Sequence, residues 1–110
     1  MGPSQMMGTF LRVWRQQRVG MTRAQLAIAV SAAGGPGVKV TAGVIRKWES
    51  GQPPSSAAHL QALLRVMARK GLAPAETSRF RDLALAAVGD RHYAGLYDDA
   101  HMPESLEGPP

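Results

Sequence analysis

The chain has no cysteine, which excludes a disulfide framework and a thiolate metal site alike. No apolar run approaches the roughly 18 residues that a membrane-spanning helix needs. The first residues also lack a signal-peptide pattern, so a soluble, cytoplasmic, nucleoid-associated protein is expected. Acid is scarce over most of the length. Before Glu76 the only acidic side chain is Glu49, set against Arg12, Arg15, Arg18, Arg23, Lys39, Arg46, Lys47, Arg65, Arg69 and Lys70. From Glu76 onward the balance reverses, with Glu76, Asp82, Asp90, Asp98, Asp99, Glu104 and Glu107 facing Arg79, Arg81 and Arg91. A net charge of +5 distributed in this way points to a polyanionic partner for the first part. Charge carried only for solubility is the plainer alternative, and the asymmetry counts against it.

With 110 residues there is room for one domain around one modest core. Residues 1–6 have little to pack and are expected to form a loose arm. They carry no Arg or Lys side chain, which argues against a minor-groove arm. Met7, Phe10, Leu11 and Trp14 recur at i, i+3, i+4 and i+7, predicting a first helix to about Arg18 with Gly20 as its stop. Arg12, Arg15 and Arg18, three apart, are expected on another face. Thr22 and Gln25 have capping-box spacing for a second helix with Leu26, Ala29 and Val30 inward and Met21 as a staple. Gly34-Gly35-Pro36-Gly37 ends it, opening a connector over residues 31–40 that is read as mobile.

Thr41 is an N-cap for a third helix in which Val44, Ile45 and Trp48 form the apolar face. Gly51 can adopt the left-handed conformation that ends it, and Pro53 and Pro54 prevent continuation. Ser55 or Ser56 caps a fourth helix carrying Leu60, Leu63, Leu64 and Met67, with its end at Gly71. Pro74 opens a fifth, with Phe80, Leu83, Ala84, Ala87 and Val88 inward and Gly89 as the expected stop. Residues 90–110 are expected to be a short terminal segment followed by an acidic, mostly disordered tail. The fold class is all-α: five short helices in one compact domain over residues 7–89. No internal repeat is present.

Two stretches carry a family resemblance. Thr22-Arg23-x-x-Leu26-Ala27 is followed by Ile45-x-x-Trp48-Glu49-x-Gly51 and a proline pair. Before them stands Leu11-Arg12-x-x-Arg15, ahead of Gly20-Met21-Thr22. Over roughly Thr9 to Met67 this resembles the Cro/cI-type phage-repressor, or Xre-like, helix-turn-helix family. The chain departs from the family in its longer 31–40 connector and in first-helix arginines shifted by about one residue against Thr22. The resemblance implies a lambda-repressor-like DNA-binding domain that places its third helix in the major groove of double-stranded DNA while the second lies on the phosphates.

What the resemblance implies for single residues can be set beside their chemistry. Arg46 suits bidentate contact with guanine or a phosphate, and Lys47 suits a phosphate or the groove edge. Ala42 and Gly43 stand where family members often carry amide side chains: Ala42 can meet a thymine methyl, and Gly43 permits close approach. Arg23, Thr41 and Gln52 are candidate phosphate contacts, and Lys39 adds a cation near the same edge. Glu49 is expected to form a structural bridge with either Arg12 or Arg15, as in the family. Trp14 and Trp48 lie on apolar faces and read as core. The glycine-rich run lacks phosphate-loop spacing. His59, His92 and His101 form no ligand set, so no metal, cofactor or enzymatic activity is implied. A homodimer through the fifth helix, with Leu96 and Tyr97, is expected, because one short helix contacts too few base pairs. A protein-interaction module on the same fold (an antitoxin, adaptor or phage-encoded inhibitor) is the alternative.

Overall fold

Gly2 and Pro3 start the first helix a full turn earlier than the apolar stripe alone suggests. In the computed structural model, which describes residues 2–97 with side chains to residue 87, α1 spans Pro3–Val13. Proline suits that opening position because its ring presets φ and its missing N–H is one the helix would leave unpaired. Residues 3–6 are therefore helical rather than a loose arm, and the Met6 amide donates to the Gly2 carbonyl at 3.0 Å. The helix continues through Trp14–Val19 as a widened π-turn, which Gly20 closes at φ 67°.

The remaining starts follow the expected caps. Thr22 and Gln25 close a reciprocal capping box over α2 (Arg23–Gly34). The Thr41 hydroxyl accepts from the Val44 amide at 3.3 Å to open α3 (Ala42–Glu49). The Ser56 hydroxyl accepts from the His59 amide to open α4 (Ala57–Arg69). Helix α5 (Pro74–Tyr97) begins at its proline but runs through Gly89, where a stop was expected. An isolated glycine weakens a helix by about 1 kcal/mol without obliging the chain to turn. The boundary expected at residues 89 and 90 thus falls inside α5. The expected tail from Asp98 to Pro110, and the side chains of Leu96 and Tyr97, lie outside the described residues.

The described residues are all helical or loop, with no strand. Helix α1 packs on α3 and α5, α2 packs on α3 and α4, and α4 packs on α5. Met7, Leu11, Trp14, Leu26, Val30, Ile45, Trp48, Leu60, Leu63, Met67 and Phe80 meet in one core. The rings of Phe10 and Phe80 lie 5.4 Å apart between α1 and α5. Among the described residues no helix is long and apolar enough to cross a membrane.

The α2–α3 connector departs from the mobile loop expected of it. Val38 and Val40 are buried. The Ser31 hydroxyl accepts from the Val40 amide at 2.9 Å and lies 3.2 Å from its carbonyl, to which it donates. A Cβ at Gly34 would stand 2.4 Å from that of Val38, so the absence of a side chain there lets the connector fold back. Beyond the end of α2, only its tip, Pro36 and Gly37, is exposed before Lys39. The connector is thus seated in the core through Val38 and Val40, and it leads directly into the Thr41 cap of α3.

Candidate nucleic-acid interface

Glu49 closes α3 with a carboxylate that is only 3% exposed. A buried carboxylate is costly unless it is paired, and here two guanidiniums share it. Arg15 Nε pairs with Oε2, and its Nη2 donates to Oε1 at 3.2 Å. The third nitrogen of Arg15, Nη1, donates to the Met21 carbonyl at 2.9 Å. Arg23 Nε donates to Oε1 at 3.0 Å from the first turn of α2. The end of the first helix, the start of α2 and the end of α3 are therefore held by one carboxylate.

Of the two candidates for the bridge, Arg15 forms it. Arg12 is exposed and makes no ion pair among the described residues. Arg15 lies four residues after the buried Leu11, one turn along the same face, and is itself buried. It therefore leaves the solvent face that a three-residue spacing with Arg12 and Arg18 implied. Arg18 stays outside, 3.0 Å from Glu76 of α5. The hydrogen bond from that guanidinium holds the Glu76 carboxyl below its ordinary value; desolvation opposes it, and the guanidinium's charge adds a smaller lowering.

Outside the bridge lies an open cleft of about 390 Å³ between the starts of α2 and α3. Arg15, Gln16, Thr22, Arg23, Ala42, Gly43 and Arg46 line it. The structure thus brings together Arg23, Ala42, Gly43 and Arg46 of the residues expected to meet DNA. Lys47, Gln52 and Lys39 are exposed but are not among the cleft's lining. Thr41 is exposed as well, with its hydroxyl engaged as the α3 cap. Arg46 is exposed and without an ion-pair partner among the described residues, as are Lys47 and Lys39. With Glu49 buried and shared, no acidic side chain among the described residues pairs with Arg46, Lys47 or Lys39 at the α2–α3 surface.

Three features were missed from sequence. Gln16, which lies in the π-turn, lines the cleft, and nothing in the apolar periodicity marks such a turn. Arg23, a phosphate-contact candidate from sequence, also serves Glu49. Gly8 has no place in the apolar stripe, yet a Cβ there would meet the Glu49 carbonyl oxygen at 2.3 Å, so α1 crosses α3 backbone to backbone. A lone glycine inside a strong helical pattern is the signal that could have found it. Trp14 and Trp48 are buried, as their apolar faces implied. His59 bonds Ser56 Oγ through Nδ1 at 2.6 Å, and among the described residues no group of three or more metal-ligating side chains converges.

Comparison with family models, with curated proteins and with solved structures returns no match for the chain.

Proposed function

We propose that this chain is a sequence-specific, double-stranded-DNA-binding transcription regulator, a repressor or autoregulator, on a lambda-repressor-like helix-turn-helix fold. One observation carries the reading: Arg46 and Lys47 are exposed on the capped α3 beside a cationic cleft, while Glu49, the acidic side chain next to them in sequence, is buried. In this arrangement α3 enters the major groove, Arg46 reads a base edge and Arg23 grips the phosphate backbone. Base reading is sparse, because Ala42 and Gly43 offer no side-chain hydrogen bond. A dimer supplies the second half-site.

Selection from random duplexes tests this directly, and an inverted repeat is the expected product. Affinity should fall by about 0.9 log units per log unit of salt for each phosphate neutralised. Arg46→Ala should lose about 1–3 kcal/mol of discrimination at one base position. Arg23→Ala should weaken all sequences about equally. Duplex binding that is absent at low salt would sink the proposal.

A second reading keeps the fold and exchanges DNA for a protein partner. It is favoured by Ile28, which is 71% exposed on α2 with Ala24 and Ala32 exposed one turn to either side. Selection that enriches no sequence, together with loss of a protein complex on Ile28→Glu, would favour it.

A further inference from the structure

The two arginines on Glu49 use it differently. Arg15 engages all three of its nitrogens, on both carboxylate oxygens and on the Met21 carbonyl. Arg23 commits only Nε, and Nη1 and Nη2 have no partner among the described residues. Arg23 and Arg46 line the same cleft, which at about 390 Å³ has ample room for a phosphate group. The exposure of the pair matches this division: the Arg15 side chain is 6% exposed and that of Arg23 is 40% exposed.

We infer that Glu49 is a positioning residue, which holds Arg23 by Nε so that Nη1 and Nη2 face a phosphate in the cleft opposite Arg46. The inference rests on the nucleic-acid reading for the source of that phosphate. Its chemistry follows from the shape of a guanidinium. The planar fork donates along more than one edge, so one edge can be fixed by a carboxylate while another pair of N–H groups meets two phosphate oxygens. Arg15 balances the charge of Glu49, which leaves Arg23 and Arg46 uncompensated among the described residues. A lysine at position 23 would carry the same charge on one nitrogen, without the separate Nε that holds the side chain in place. The carboxylate thus acts at a distance from the anion by fixing the donor that touches it.

The test titrates isotope-labelled full chain with inorganic phosphate at constant ionic strength and neutral pH, following arginine side-chain N–H signals by NMR. Saturable shifts are expected at Arg23 and Arg46 and not at Arg12. Arg23→Lys, at a half-exposed position with charge kept, should weaken phosphate about tenfold, the loss of a charge-assisted hydrogen bond. Glu49→Gln, measured where it remains folded, should weaken it by a similar factor, and the double variant should be no worse than either. Wild-type phosphate affinity in Arg23→Lys, additive losses in the double variant, or no saturable binding would overturn the inference. A parallel titration with duplex DNA separates the two readings. Phosphate binding without duplex binding keeps the positioning role and removes the DNA reading. Duplex binding that Arg23→Lys leaves intact does the reverse.

Discussion

Glu49 and Arg12 give opposite expectations although both belong to the same expected bridge. Removing the Glu49 carboxylate leaves Arg15 buried and short of its partner, so Glu49→Ala should cost about 3–5 kcal/mol in denaturant unfolding. Arg12→Ala removes an exposed side chain with no partner among the described residues, and should stay within about 0.5 kcal/mol of wild type. Gly8→Ala is a second residue-scale case. An added methyl would collide with α3 backbone that cannot move without shifting the Glu49 bridge, so a loss of about 1–3 kcal/mol is expected by the same measurement. The bridge was half legible in the sequence. A glutamate ahead of a terminating glycine and an arginine in the first helix could be paired by resemblance. Which arginine turned inward depended on its distance from Leu11 and on tertiary neighbours that no local pattern displays.

Local chemistry decides the starts of α2 to α5, and these were the most legible features. Thr22, Thr41 and Ser56 each accept an amide of their own first turn, a bond made within four residues and hence visible in sequence. Helix ends and connectors depend on what they meet. Gly89 had the composition of a stop but does not act as one, Val38 docks where Gly34 leaves space for it, and the backbone of Val40 is held by Ser31. At this scale Arg18 and Glu76 join the end of the first helix to the start of α5. Because the folded-state pKa of Glu76 is lowered, its contribution to stability is present above the unfolded carboxylate value of 4.5 and is lost as pH falls through the folded value. In thermal melts, Glu76→Gln should lie slightly below wild type at neutral pH, and the two curves should converge under acid conditions. Since the pair is exposed, added salt should also narrow the gap.

Across the whole molecule the helix count, the order of elements and most of the core could be read from apolar periodicity. The relation between α2 and α3 could not, because their connector is long and its docking is set by Ser31, Gly34 and Val38 together. The proposed dimer belongs to this scale. Light scattering at micromolar concentration should return twice the chain mass, and a monomer both free and on DNA would remove the two-half-site arrangement. Glu49→Gln and Arg46→Ala lie on the opposite side of this expectation: both are on α3 rather than α5, so both should keep the wild-type mass.

The two indole side chains have a practical consequence. Trp14 lies in the π-turn and Trp48 in α3, both facing the interior. Steady-state fluorescence should therefore emit at short wavelength, resist acrylamide quenching, and shift to the red only when the helices separate. Because neither chromophore borders the cationic cleft, adding a nucleic acid should leave the spectrum unchanged. Unfolding can then be followed optically in the presence of the very polymer whose binding is under study.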